Sequence, residues 1–355
     1  MKKGVWAALV ACVATAALLY AGSALAAYTP HITITHSAYK VSSGGTTDVT
    51  VRFAQTDDPT AKATIYVPQG YVGTLGVAAG TQLGTVQTLV LATQISASQP
   101  IILKGTIRAD DPAKYAAAAT RCTGSPTHDG VWLLALQAAG RELDVPFYVD
   151  AVTDPAEATV GKFKLQVCLP SPDIPESEGG AAFGSKVINV TMHLSNVFTL
   201  PSQNGTYGWT LVATPYTPGT AAPNPAGTVE ARGFVRLPVQ LSVAAKYVAR
   251  SNTYRLTGLL TEDLLGVTSA RVDVLRGTSA SKLRKVASVR TNAQGRFATA
   301  GHLRPRKTTY FRVRVVVPER NTACSGGVPG IRCVSASLNP FTAQSRVLAI
   351  KPRRR

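Results

Sequence analysis

The chain is 355 residues long, 45% hydrophobic and only 16% charged, with 37 Lys+Arg against 19 Asp+Glu and hence a net charge of +18. Its 30 Gly and 22 Pro, without heptads or a long apolar stripe of helical period, exclude a coiled coil or helix bundle and point to short strands joined by turns. The excess positive charge is a field that attracts polyanions.

Residues 1–26 read as a secretory signal peptide: Lys2 and Lys3 lead, an apolar run follows from Gly4 to Ala21, and Ala24-Leu25-Ala26 supplies a small-x-small cleavage site. That run approaches the ~20 residues a membrane span needs, but its alanine content and the cleavage site favour removal, and Cys12 leaves with it. No second stretch of spanning length follows, so the mature product is expected to be secreted, extracellular or cell-wall associated. The 329 residues that remain (355 − 26) suit two cores rather than one.

The expected first domain covers 27–236. Residues 31–53 predict two strands about Gly44-Gly45, with Val49, Val51 and Phe53 on alternate positions, and 63–67, 82–92 and 101–109 continue the series. Asp110-Asp111-Pro112 followed by Ala113-Lys114-Tyr115 and four alanines predicts a short capped helix running to about Arg121. A hairpin about Gly140 joins 131–138 to 141–149, and a strand follows at 162–169. Residues 170–184 combine Pro, Gly and acid without periodicity and predict an exposed loop. Strands at 186–194, 207–213 and 229–237 complete this domain.

From Pro238 short strands recur at 239–244, 253–260, 270–276, 284–291, 295–300, 309–317, 334–338 and 344–350, the size and rhythm of an immunoglobulin-like sandwich over 237–352, with a basic tail at 353–355. The fold class is therefore all-β, two antiparallel sandwiches behind a cleaved signal. The four cysteines beyond the signal predict disulfides in an exported chain, and sequence separation selects Cys122 with Cys168 and Cys324 with Cys333, one bond per domain.

Thr291-Asn292-Ala293-Gln294-Gly295-Arg296-Phe297, with Leu256-Thr257-Gly258 and Tyr310-Phe311-Arg312-Val313, resembles the bacterial Ig-like and carboxypeptidase-regulatory-like (prealbumin-type) domains. That resemblance covers about a third of the chain and implies an accessory, non-catalytic module. The first domain resembles copper-binding secreted sandwiches of the YcnI type, which implies a histidine site near the mature start, where this chain has His31 and His36. Five residues apart on one strand, those two imidazoles point to opposite faces.

Charge is unevenly placed. Residues 27–236 hold 13 Lys+Arg and 15 Asp+Glu (net −2), whereas 237–355 hold 22 and 4 (net +18). Arg312 and Arg314 alternate with valines and share a strand face; Arg304, Arg306 and Lys307 lie on the preceding turn, and Lys282, Arg284, Lys285 and Arg290 on a hairpin. Together they are the candidate polyanion-binding residues. No catalytic motif, nucleotide loop or metal-ligand spacing appears, so no cofactor and no metal site are expected. The reading is a non-enzymatic surface protein whose basic domain docks on an anionic envelope polymer or glycan, with no specific nucleic acid partner. Two alternatives stand beside it: a carbohydrate-active enzyme or its accessory module, using an inter-domain cleft with exposed Trp132 or Trp209, and copper binding through His31 and His36.

Overall fold

The computed structural model describes residues 28–351 apart from 97, 139 and 304–307. The signal peptide, Arg304, Arg306, Lys307 and the tail at 353–355 lie outside the described residues.

Alternation builds the first strands: β1 (His31–His36) and β2 (Thr46–Arg52) turn Ile32, Ile34, Val49 and Val51 inward and Thr33, Thr35 and Thr50 outward. The chain continues through β3 (Thr60–Val67), a two-residue β4 (Val72–Gly73), β5 (Gln82–Ala92) and β6 (Ile101–Asp110). Next the Asp111 carboxylate accepts the Ala113 N–H, Pro112 opens a single tight turn, and α1 (Ala116–Thr123) runs until Gly124 stops it in the left-handed region. The helix ends two residues beyond the expected Arg121. Strands β7 (Gly130–Ala138), β8 (Arg141–Ala151), β9 (Phe163–Cys168) and β10 (Ser185–Ser195) follow, then the short β11 (Phe198–Thr199), β12 (Gly205–Pro215) and β13 (Val229–Leu237).

Eleven of these strands form one continuous antiparallel sheet in the order β1-β2-β10-β5-β6-β7-β8-β9-β3-β12-β13, while β4 pairs only with β11. The sheet curls until β1 lies against β13. Gly233 permits that approach, because a Cβ there would stand 2.8 Å from the Ile32 carbonyl oxygen. One core fills the wrap, with Trp132, Trp209, Tyr71 and Phe198 among its fully buried side chains.

The second unit begins with the hairpin β14 (Val239–Val248) and β15 (Thr253–Glu262), then β16 (Leu265–Gly266), β17 (Arg271–Gly277), β18 (Arg284–Arg290), β19 (Arg296–His302) and β20 (Thr309–Val317). After an excursion come β21 (Arg320–Asn321), β22 (Arg332–Leu338), β23 (Phe341–Gln344) and β24 (Leu348–Ile350). In one sheet β15 pairs β14, β16 and β19; in the other the order is β18-β17-β20-β23, with β24 also on β20. Leu256, Leu260, Val272, Phe297, Phe311 and Val313 are buried between them, an Ig-like sandwich. The Asn292-x-x-Gly295 turn carries the chain from one sheet to the other. Asn292 Oδ1 accepts the N–H groups of Gln294 and Arg296, and Gly295 adopts φ +75° where a Cβ would meet the Leu260 carbonyl oxygen at 2.2 Å.

One expected strand belongs elsewhere. Residues 334–338 read as part of the second sandwich, yet β22 leaves it and pairs in parallel with β13, and β21 pairs with β22, extending the first sheet to thirteen strands among the described residues. The disulfides Cys122–Cys168 and Cys324–Cys333 both form as expected. Because Cys333 lies on β22, however, both bonds attach to the first sheet rather than one in each domain. Between those cysteines the loop covers Glu230, whose buried carboxylate accepts the Val328 N–H at 2.8 Å.

The backbone thus crosses between the units three times, at 237–239, 317–320 and 338–341. Tyr39 clips the junction: its carbonyl accepts the Val239 N–H and its hydroxyl donates to the Pro340 carbonyl at 3.0 Å. Glu262, its side chain 4% exposed, pairs with Arg320 at 2.7 Å. Glu319 gathers His31, Arg52 at 3.1 Å and the Ser337 hydroxyl. Burial pushes the Glu319 carboxyl up, but the Ser337 hydroxyl, His31 and Arg52 outweigh it and hold it below the ordinary range.

Candidate functional site

The outer face of β18-β17-β20 collects the basic residues. On β20, Phe311, Val313 and Val315 point into the core, which sends Arg312 and Arg314 outward; on β17, buried Val272 and Val274 do the same for Arg271 and Asp273. Register completes the face. Arg271 stands opposite Arg290 on β18, Asp273 between Ser288 and Arg314, and Leu275 between Lys285 and Arg312. Five cations therefore surround one carboxylate.

Asp273 accepts from Lys285 Nζ at 2.9 Å and Arg271 Nε at 3.2 Å. Burial pushes its carboxyl up, but the bonds from Ser288, Lys285 and Arg271 prevail and hold it at about 2, so it stays ionised. Among the described residues Arg312 and Arg314 pair with no carboxylate, and Arg290 donates to the Ser269 carbonyl at 2.8 Å. Lys282 and Arg284 are exposed at the far end of the β17–β18 hairpin, where Arg284 opposes Arg276. Of the other three carboxylates in this part of the chain, Glu262 and Glu319 are turned to the junction. Arg271 was missed from sequence, although Arg271-Val272-Asp273-Val274 carries the same alternation that singled out Arg312-Val313-Arg314-Val315.

The alternative sites come out differently. Trp132 and Trp209, expected as exposed aromatics beside a cleft, are both 0% exposed, each packed against Phe198 in the first core. Both sit in the inward phase of their strands, so they cannot line a sugar groove. The groove at the junction is bordered by His36, Tyr39, Pro340, Phe341 and Gln344, with no carboxylate among its described lining residues. His31 and His36 occupy opposite faces of β1. Thr47 and Tyr71 engage the His36 ring at 3.1 and 3.0 Å, and Ser335 and Glu319 engage that of His31. Burial lowers the His36 pKa to about 4, so the ring is neutral at ordinary pH. Among the described residues no group of three or more His, Cys, Asp or Glu side chains is placed to hold a metal ion.

Fold and site define an all-β, disulfide-tied double sandwich with one cationic sheet face. No protein-family model matches the chain, and no curated protein matches it. Among solved structures it is similar to domains D2 and D3 of the major pilin SpaD from Corynebacterium diphtheriae, at 10% identity and a TM-score of 0.25, covering 80% of this chain and 81% of that one. Full-length SpaD gives 12% identity and a TM-score of 0.26 over 81% of this chain and 56% of that one. A tetra-tandem repeat from the extending region of a large adhesion protein gives 11% and 0.22, over 90% and 99%. At these TM-scores the likenesses carry no argument about function.

Proposed function

We propose that this is an exported, non-enzymatic surface protein whose second sandwich docks on an anionic polymer outside the cell through the outer face of β18-β17-β20. The observation that carries this reading is the convergence of Arg271, Arg290, Lys285, Arg312 and Arg314 on one face around the single carboxylate of Asp273. Strands ~4.8 Å apart with side chains repeating every ~7 Å along each strand place the cations on a grid that a flexible phosphate- or carboxylate-bearing chain can follow. The signal-like leader and the two disulfides agree with an oxidising, extracytoplasmic setting. The near-neutral first sandwich presents a separate surface.

The test uses the whole mature chain on immobilised polyphosphate and polyglutamate across a salt series. Retention should fall with salt, with a slope that shrinks by about 0.7 for each phosphate-binding cation removed. Replacing Arg290, Arg312 and Arg314 together by Gln should release the protein at markedly lower salt, whereas Lys104→Gln on the first sandwich should change little. Equal retention of the triple variant and the parent refutes the reading.

A further inference from the structure

The first sandwich is filled unequally from end to end. Along β3 the inward positions run from Thr60, Ala63 and Ile65 to Val67, and along β7 from Leu136 and Leu134 to Trp132. At the Val67 and Trp132 end the space is packed solid: Trp209, Trp132 and Phe163 each pack against Phe198, and Tyr71 packs edge-on against Trp209, with ring centroids 5.4 to 6.5 Å apart. At the opposite end the same strands enclose a cavity of about 380 Å³. Protein interiors are close-packed and hold few voids larger than a water molecule, so a space of this size is a departure from how the rest of the core is built.

Its chemistry is sorted by depth. The interior wall is hydrocarbon, from Val86, Val90, Leu103, Val167, Val190 and Met192. Of the three hydroxyls in the wall, the two deeper ones are already engaged, Thr88 donating to the Asn189 carbonyl at 2.7 Å and Thr60 sharing a hydrogen bond with the Tyr28 hydroxyl at 2.8 Å, while Ser185 is half-buried at the start of β10 beside Lys186. Nothing inside therefore offers a water the two or more partners it needs, and such spaces stay dry and take up apolar molecules. Charge appears only at the rim, as Lys186, Glu142 and Asp144. The Lys186 ammonium donates to the carbonyls of Gln55 and Asp57, and burial lowers its pKa against the opposing pull of Asp57, Asp58 and Asp173. Arg108 holds Glu142 at 3.0 Å and stands 4.0 Å from Asp144, whose carboxyl is pushed up by burial and by Glu142.

The rim is also strapped. Residues 170–184, expected as an exposed loop, are exposed at 175–179 as expected, but their two ends lay Pro170, Pro172, Ala181 and Ala182 against the cavity, with Ser171 and Ala181 buried. Ser171 Oγ donates to the Thr220 carbonyl, the Asp173 carboxylate accepts the Gly219 N–H, and Glu176 pairs with Arg141 at 2.9 Å. Cys168, at the root of the strap, is fixed to α1 by its disulfide.

We propose that this cavity binds the hydrocarbon tail of an acyl- or isoprenoid-type amphiphile, with the polar head left at the rim beside Lys186, Glu142 and Asp144 and the 170–184 strap closing over the tail. The volume lies within the ~300–1,000 Å³ of small-molecule sites, and a long apolar interior behind a polar mouth matches a molecule of the same two-part character. The site is independent of the cationic face and stands or falls separately from it.

The probe is cis-parinaric acid, a fluorescent polyene fatty acid, added to the whole mature chain. Its emission should rise and saturate at one molecule per chain. Displacement by palmitate, by farnesol or by both supports the site and assigns the tail to the acyl or isoprenoid source or to their shared hydrocarbon chemistry. Two wall substitutions should weaken binding by about tenfold or more: Ala63→Leu within the cavity and Val145→Trp near the rim. The emission of Trp132 and Trp209, in the solid half, reports that each variant is folded. A length series of alkanoates on the parent chain covers the case in which both variants unfold: affinity that rises and then levels supports an enclosed site, whereas affinity that climbs without a plateau overturns it. Absence of saturable binding, binding that neither competitor displaces, or undiminished binding to a folded Ala63→Leu or Val145→Trp chain also overturns the proposal.

Discussion

Acidification should destabilise the first sandwich through His36, starting at a higher pH than the carboxylates whose pKa is held low in the fold. The ring is 7% exposed and its two hydrogen-bond partners, Thr47 Oγ1 and Tyr71 Oη, are uncharged, so an imidazolium there would gain no counterion. Burial sets its folded pKa at about 4 against 6.5 in the unfolded chain. Between those values the unfolded state binds more protons than the folded one, so stability rises with pH; it is fully present above about pH 6.5 and is lost as pH falls toward 4. A gap of about 2.5 pH units at ~1.36 kcal/mol each gives a loss of roughly 3 kcal/mol across that window. The carboxylates of Asp110 and Asp273, held at about 2, lose their contributions only at lower pH. Urea titrations of the mature chain at fixed pH, followed by the emission of Trp132 and Trp209, measure the effect. His36→Gln should cost about 1–2 kcal/mol at neutral pH through poorer hydrogen bonding, yet flatten the dependence between pH 6.5 and 4. A variant that keeps the parent's slope in that window refutes the assignment to His36.

Two further outcomes follow from the junction and the disulfides. Arg320→Ala strands Glu262 in a 4%-exposed position and should cost about 3 kcal/mol; adding Glu262→Gln should recover more than half of that, and single-variant losses that simply add in urea titrations would contradict a coupled pair. Replacing Cys122 and Cys168 together by Ala opens a link of sequence separation 46, for which chain entropy gives about 4 kcal/mol; calorimetry should show a clear drop in Tm, and a loss below about 1 kcal/mol would place the bond's role elsewhere.

Local chemistry was legible in the sequence wherever a single segment decides it. Val49, Val51 and Phe53 gave the inward face of the opening hairpin, Asp111-Pro112 the helix start, and Asn292-x-x-Gly295 the inter-sheet turn. The alternation of Arg312 and Arg314 with valines placed them on a shared outer face, and the strand register joined the hairpin's Lys285 and Arg290 to that face and added Arg271. Partner choice was not legible. The pattern of 334–338 says strand, but period-2 alternation is the same whether the ladder forms with β20 or in parallel with β13. The cavity was hidden for a similar reason, because Val86, Val90 and Leu134 read identically whether they touch one another or face a space. The tryptophans misled because aromatic character suits both sugar platforms and cores, and only burial separates the two.

The triple crossing between the sandwiches has a mechanical consequence. A single connecting segment would let one sandwich swivel on the other, and tension would straighten it before reaching either core. Here tension on the second sandwich reaches the first along three backbone paths, one of which runs straight into β22 and its parallel ladder with β13. Pulled along its length, such a ladder is loaded in shear, so its hydrogen bonds share the force instead of opening one after another. The pair should therefore behave as a stiff strut, each sandwich held at a set distance and angle from the other.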